Sequence, residues 1–459
     1  MAKKQYDLLV IGSGAAGSSA VTSIDKKGLR IALVERGKLG GTCLNYGCDP
    51  TKTLLYTANL LYETRHASQY GLDIPESQVD WPAVQQRVQD IIIRLRGGTP
   101  EEARARFAQQ GIDTLEGEAK FLSPHEISVS GYDDTFSAER IIIATGSETL
   151  IPPIEGLDEA GYITNVQAVS LPSLPRRMAI AGGGAIGIEF AQMFRRFGVE
   201  VTVLERSPDI LDTEDRELAG KLCELLTKEG IHLKTGAELK RVQKKGACKL
   251  LTVQCGEQDQ EELEVDELLI AVGRRASFTS LNLEAAGVQT SKKGIIVDEH
   301  LRTSVPHIWA AGDVASPYQF THVASEQGKL AAHNAFSSNP YAFDDRVIPW
   351  GIFTYPSLAH VGKTEQQLQQ EHVEYRSTCV PFSENERALI DGKTDGLIKL
   401  LVDSRGNILG GHILGTRAGD LLAPIVLAMH ASLPVQALAS TILPYPTISE
   451  IVRLAAGKL

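Results

Sequence analysis

Short apolar runs, each stopped by a glycine or an acid, set the rhythm of this chain. Asp7-Leu-Leu-Val-Ile11 reads as a buried strand and runs directly into Gly12-Ser-Gly14-Ala-Ala-Gly17, which opens an apolar helix. Ile31-Ala-Leu-Val34 is the next strand and ends at Glu35. The same order returns at Met178-Ala-Ile-Ala181, Gly182-Gly-Gly184-Ala-Ile-Gly187 and Val201-Thr-Val-Leu204, which ends at Glu205. In both copies the acid lies 23 residues beyond the first glycine, so one supersecondary unit recurs at an offset of 170. Elsewhere Trp81 to Arg106 reads as helix interrupted at Gly97-Gly98, with Glu101 and Glu102 opening the second piece. Towards the C-terminus, Gly396-Leu-Ile-Lys-Leu-Leu-Val402 predicts a strand and Leu421 to His430 a helix.

Strand, glycines, helix, strand and acid in that order predict dinucleotide binding. The glycines permit a tight turn and let a pyrophosphate approach the helix N-terminus, while the acid accepts bonds from ribose hydroxyls. A single glycine motif is weak evidence; the whole arrangement occurring twice predicts two dinucleotide sites in one chain.

The segment Cys43-Leu-Asn-Tyr-Gly-Cys48-Asp-Pro-Thr-Lys52 adds chemistry. Asp49-Pro50 predicts a helix start, with Asp49 as N-cap and Pro50 at the first helical position. A thiol at such an end meets the positive pole of the backbone dipole, and Lys52 adds a cation, so thiolate is favoured. Two thiols this close can close a small, reducible ring. The spacing alone leaves open two unpaired cysteines or a metal-binding pair, although structural zinc sites usually use four ligands. Two dinucleotides beside a dithiol imply an electron path: a nicotinamide delivers hydride, a flavin accepts it and a disulfide takes the pair.

These motifs resemble the flavin-dependent pyridine nucleotide–disulfide oxidoreductases, the group of dihydrolipoyl dehydrogenase, glutathione reductase and mercuric reductase. Gly41-Thr42-Cys43 through Lys52 resembles the family's disulfide segment. Ile141-Ile-Ile-Ala-Thr145-Gly146-Ser147 is similar to its crossover, and Ile308-Trp-Ala-Ala-Gly312-Asp313-Val to its second flavin motif. Ala271-Val-Gly273-Arg274 resembles the strand closing the nicotinamide domain, and Pro446-Thr447-Ile-Ser-Glu450 falls in the dimer domain. The resemblance implies an α/β fold: two Rossmann-like domains, for FAD and NAD(P), and a C-terminal α+β dimerisation domain. It implies a split FAD-binding domain at 1–148 and 275–343, an NAD(P)-binding domain at 149–274 and an interface domain at 344–459.

It also implies roles. The FAD side would use Gly12, Gly14, Gly17, Glu35, Thr42, Ala119, Thr145, Gly146, Asp313 and, by backbone contact, His322. The nicotinamide side would use Gly182, Gly184, Gly187, Glu205 and Gly273. Lys52 and Glu189 would pair where the two cofactors meet. Cys48 would be the thiolate beside the flavin and Cys43 the outer thiol of a Cys43–Cys48 disulfide, with no resident metal but a transient substrate metal at the two sulfurs. Tyr445 and Glu450 would complete the site from the second subunit of a homodimer. Glu205 favours NADH over NADPH because a carboxylate repels a 2′-phosphate, and the adjacent Arg206 softens that preference.

Tyr445 is the main departure. Thiol-disulfide members carry a histidine there as proton shuttle, and a tyrosine titrates near pKa about 10 against about 6.5 for histidine. Tyrosine at this place resembles mercuric reductase, whose soft-metal substrate needs no base to release a thiol. Mercuric reductases also carry a C-terminal cysteine pair and an N-terminal metal-trapping domain; the sequence here opens its first strand at about Asp7 and ends Leu-Ala-Ala-Gly-Lys-Leu. The expected reaction is reduction of a soft metal ion or small oxidised sulfur compound or oxidant by NAD(P)H. The alternatives are a dihydrolipoyl dehydrogenase or glutathione-reductase-like enzyme, and a non-catalytic thiol redox sensor or metal-binding flavoprotein.

Composition narrows the partners. With 46 Lys plus Arg against 57 Asp plus Glu, the net charge is −11, which argues against nucleic acid. No signal sequence or membrane span is evident, and the six cysteines of 459 residues are no secreted framework, so the cytoplasm is the expected compartment. Cys223, Cys248, Cys255 and Cys379 are scattered and read as structural.

Overall fold

The computed structural model describes residues 3–75, 77–256 and 259–459. Its centre is a seven-stranded sheet built on Lys3–Ile11. Ile31–Glu35 and Thr135–Ile143 flank that strand in parallel, Ile112–Glu116 lies beyond the first, and Ile308–Ala310 pairs with the second. Leu8, Leu9 and Val10 are fully buried between layers, as expected of a parallel strand covered on both faces. Helix Ala15–Ser23 packs on helix Thr321–Phe336 at close range. A Cβ on Gly328 would sit 2.1 Å from the carbonyl oxygen of Ala16, so only glycine permits that approach.

A second parallel sheet has the order His232–Thr235, Glu200–Glu205, Arg177–Ala181, Glu267–Ile270. An antiparallel sheet of Ala237–Lys245, Cys248–Cys255 and Asp259–Val265 lies beside it. The two connections between the halves, Ser147–Thr149 and Arg274–Ala276, pair with each other antiparallel. That short ribbon fixes how the second sheet is presented to the first.

From Pro349 onward the chain forms a five-stranded antiparallel sheet with the helix Ala418–His430 against it. Buried charge ties this region to the second parallel unit. Lys399 is 3% exposed and sits 3.1 Å from Asp215 and 2.6 Å from Glu365. Glu214 accepts the Trp350 indole N–H at 2.7 Å and faces His360 at 3.3 Å. A buried charge persists only when paired, so these contacts define one arrangement of the two regions.

The architecture is the α/β arrangement expected from the repeated pattern. The interrupted helix is also as expected: Trp81–Arg96 ends at Gly97 in the left-handed region (φ 77°). Pro100–Gln109 then starts behind Thr99 in a capping box with Glu102. One expectation fails. The helix bearing the second thiol runs Cys48–Arg65 with Gly47 as N-cap and no side-chain cap, so Asp49 lies inside the first turn and caps nothing. The preceding helix, Gly41–Tyr46, ends directly at Gly47, leaving no extended residue at position 49 to act as a cap. Pro50 is consequently the third helical residue rather than the first.

Candidate active site

The two glycine turns are built alike. Gly12 (φ 103°) and Gly182 (φ 113°) lie where side chains are strained. A Cβ there would sit 2.3 Å from the Ala144 carbonyl oxygen and 2.4 Å from that of Ala271. Gly17 and Gly187 pack on the first glycine of their own turns, at 1.8 and 2.0 Å from its carbonyl oxygen. Gly14 and Gly184 differ: a Cβ on either would meet no protein atom within 4 Å, so each middle glycine opens onto the cleft. The acids are held in matching ways. Glu35 accepts the Ser13 N–H at 2.9 Å and the Gly37 N–H at 2.7 Å. Glu205 accepts the N–H groups of Gly183 at 2.6 Å and Ser207 at 2.7 Å.

Both turns open into one continuous cleft of about 1760 Å³. Pockets for one drug-sized ligand occupy roughly 300–1000 Å³, so this cleft has room for more than one. It runs from Gly12, Glu35 and Ala119 past Thr42, Cys43, Cys48 and Lys52 to Glu189, Gly182, Glu205 and Gly273. Thr145, Gly146, Asp313 and His322 line it as well. The Thr145 hydroxyl is buried there without a hydrogen-bond partner. Open middle glycines and an unpartnered hydroxyl fit the residues to FAD, with Thr145 one of the groups that would hold it. The second turn and Glu205 fit the residues to a nicotinamide dinucleotide.

Two long helices bring the chemistry together. Lys52, one turn into Cys48–Arg65, lies 2.7 Å from Glu189, one turn into Ala185–Arg196. Glu189 is buried, and its other oxygen accepts the Phe353 N–H at 2.9 Å. Lys52 also rests over the Phe353 ring, 4.5 Å from its centroid. The pair expected from the sequence is therefore formed and braced by a third segment.

Cys43 and Cys48 are both free thiols, and their sulfurs hydrogen-bond to each other. That bond from Cys43 is the main reason the Cys48 thiol is lowered to about 6. Burial opposes the shift, while the Thr321 hydroxyl, 3.4 Å away, and the Lys52 charge support it. Cys43 moves the other way, because donating to Cys48 and being buried both keep its proton on. Cys48 is thus the anionic sulfur and Cys43 the protonated one. Among the described residues, no group of three or more His, Cys, Asp or Glu side chains is arranged to hold a metal ion.

Three features are not visible in the linear pattern. Thr321 stands next to Cys48, although the motif draws the eye to its neighbour His322, whose ring nitrogen instead contacts the Pro349 carbonyl at 2.7 Å. Arg274 donates through Nε to the Ser147 hydroxyl at 2.8 Å, and that hydroxyl donates to Asp313 at 2.5 Å. Burial pulls the Arg274 guanidinium below its usual value, and Asp313 opposes this. Arg274 and Ser147 each belong to a family-like motif, but nothing in linear order shows that the closing strand returns to the crossover. Tyr445 and Glu450 do not line the cleft of their own chain. Tyr445 is 71% exposed and donates its hydroxyl to Glu386; Glu450 accepts the Thr447 N–H at 3.3 Å.

Comparison with known proteins closes the question of family. The family described as pyridine nucleotide-disulphide oxidoreductase matches residues 6–328, and its dimerisation domain matches residues 348–456. The chain belongs to the pyridine nucleotide-disulphide oxidoreductases. These are FAD-dependent enzymes that use NAD(P)H, and the chain carries the family's dimerisation domain. A mercuric reductase of Staphylococcus aureus is 35% identical, the match covering 98% of this chain and 82% of that protein. A dihydrolipoyl dehydrogenase of Thermus scotoductus is 37% identical, covering 99% of this chain and 98% of its own length. Among solved structures, a Cu(II) complex of the HOCl-induced flavoprotein disulfide reductase RclA from Escherichia coli superposes with TM-score 0.89 at 30% identity. That match covers 99% of this chain and all of the other. Among the described residues, no helix is long and apolar enough to cross a membrane.

Proposed function

We propose that this protein is an NADH-dependent flavoprotein that reduces a thiophilic metal ion or a small oxidant at Cys43 and Cys48. The observation that carries the reading is the placing of both sulfurs on the wall of the double-dinucleotide cleft, beside Lys52 and Glu189. FAD, when bound, would supply an acceptor for nicotinamide hydride and a source of an electron pair for the sulfurs. The chain's own residues do the rest. Glu189 pairs with Lys52 and holds it against the Phe353 ring. Lys52, Thr321 and the start of the helix hold negative charge on Cys48. Cys43 keeps a proton in the resting thiol pair and is the sulfur that meets the acceptor. With mercuric ion, Cys43 gives up that proton on coordination, the two thiolates pass two electrons to the ion, which leaves as the zero-valent metal, and the S–S bond closes. With cupric ion, two ions each take one electron for every S–S bond formed.

A metal ion is the favoured acceptor because Tyr445 stands where thiol-disulfide relatives use a basic histidine. The only imidazole on the cleft wall among the described residues, His322, is turned to the Pro349 carbonyl. Mercuric reductases among the relatives and the copper complex of a structural neighbour support the same reading. The active unit is proposed to be a homodimer, with Tyr445 and Glu450 reaching the partner's thiols. Tyr445, Ile442 and Leu427 are exposed on the dimerisation domain, as that docking requires. NADH is proposed as donor because Glu205 lies on the cleft wall with its carboxylate fixed by two backbone N–H groups. The test is steady-state NADH oxidation with mercuric ion, cupric ion, lipoamide and glutathione disulfide. Faster turnover of a metal ion is expected; strong lipoamide reduction would transfer the protein to the dihydrolipoyl dehydrogenase reading.

A further inference from the structure

Among the described residues, the charges that act on the Cys48 sulfur differ in how they are held. Lys52 is matched by Glu189 at 2.7 Å. Arg274 and Asp313 are joined through the Ser147 hydroxyl. Asp49 is left over. It lines the cleft next to Cys48, it is half-buried, and its carboxylate accepts no hydrogen bond among the described residues. Had it capped the helix, backbone N–H groups would have absorbed its charge. It does not cap, and its charge is felt at both Cys43 and Cys48. The one nearby cation acting on it, Lys52, is already engaged by Glu189. A half-buried charge is screened less than a surface one, and a cleft concentrates its field.

We propose that Asp49 is a specificity-determining residue whose fixed negative charge draws cationic reactants to the two sulfurs and disfavours anionic ones. The inference rests on the reading of Cys43 and Cys48 as the reacting pair and adds the charge class of the substrate. Thiophilic metal cations are favoured; disulfides bearing carboxylates, such as glutathione disulfide, are disfavoured. No change in the reaction is implied, since the electrons and protons move as before and only the approach of the reactant differs.

The test uses three small alkylating reagents on the NADH-reduced holoprotein at one pH: iodoacetate, iodoacetamide and 2-bromoethylamine. The modification rate at Cys43 is monitored by mass spectrometry and normalised to the same reagents on a free small thiol. The cation-to-anion rate ratio is expected to be about tenfold in the unmodified protein, to fall towards one in Asp49→Asn, and to drop below one in Asp49→Lys. Removing the carboxylate also frees more thiolate, but that raises all three rates together and leaves the ratio as the readout. The isosteric Asn variant preserves the packing, and bound-flavin absorbance in all three proteins confirms that they are folded. A ratio that is the same in all three overturns the proposal whatever the acceptor. A tenfold ratio abolished by Asp49→Asn upholds it, even if neither mercuric nor cupric ion is turned over; that last result would sink the function reading alone.

Discussion

The chain makes the same glycine turn twice, and the two copies part company beyond the acid. After Glu205 comes a loop and an ordinary amphipathic helix, Arg216–Lys228, capped by Asp215. After Glu35 come two helices that carry Cys43, Cys48 and Lys52. The first of these reaches back onto its own turn: a Cβ on Gly41 (φ 64°) would sit 2.6 Å from the Cα of Gly14. One unit therefore carries both thiols and Lys52, while the other contributes Glu189, the partner of that lysine. The difference lies in the segment after the acid and not in the glycine turns, where a Cβ on Gly12 or Gly182 would sit 2.3 or 2.4 Å from a carbonyl oxygen.

Substitutions in the two copies sharpen that contrast, from the largest effect to the smallest. Cys43→Ser is expected to lower acceptor turnover by about a thousandfold or more while NADH still bleaches the flavin. Stopped-flow absorbance separates the two, and full turnover in the variant would remove Cys43 from the path. Gly12→Ala and Gly182→Ala should then divide by ligand. Each meets a carbonyl oxygen at 2.3 or 2.4 Å and carries a left-handed backbone cost of about 1–2 kcal/mol. The first should lose bound flavin and the second should keep flavin but bind nicotinamide weakly; the reverse pattern would exchange the two assignments. Glu189→Gln leaves Lys52 without its partner, and flavin reduction by NADH is expected to slow by roughly tenfold or more. Glu205→Gln should narrow any preference for NADH over NADPH by about tenfold, read from paired KM measurements.

The pH dependence is the gentlest effect. With its thiol lowered to about 6, Cys48 in the reduced protein should be alkylated at a pH-independent rate well above that value. The rate should fall as the pH drops through it, because the thiolate is then protonated. Thr321→Val removes one supporting hydroxyl and should move the midpoint upward. An unmoved midpoint would show that Cys43 and Lys52 suffice.

Much of this was legible in sequence because its physics is local. A tight turn needs glycine at Gly12 whatever surrounds it, and the acid held by the turn's N–H groups comes at the end of the next strand, so both turns could be read from order alone. The Lys52–Glu189 pair was readable only through the family resemblance, since 137 positions separate its members. What stayed hidden depends on three-dimensional return. Arg274 reaches Ser147 because two short connecting strands pair, and Thr321 reaches Cys48 because helix Thr321–Phe336 packs against the first glycine turn's helix. Asp49 reads wrongly as a cap because Asp-Pro resembles a helix start anywhere, whereas here a preceding helix has already delivered the chain in position at Gly47.

The most direct test of the account is a thiol count on the air-oxidised protein before and after anaerobic addition of one equivalent of NADH. Alkylation with mass-spectrometric readout reports each cysteine separately. The account predicts that Cys43 and Cys48 are protected beforehand and that both become modified once the donor is added, with the other four cysteines unchanged. Bleached flavin with both sulfurs still protected, or both sulfurs equally reactive before any donor is added, would contradict it.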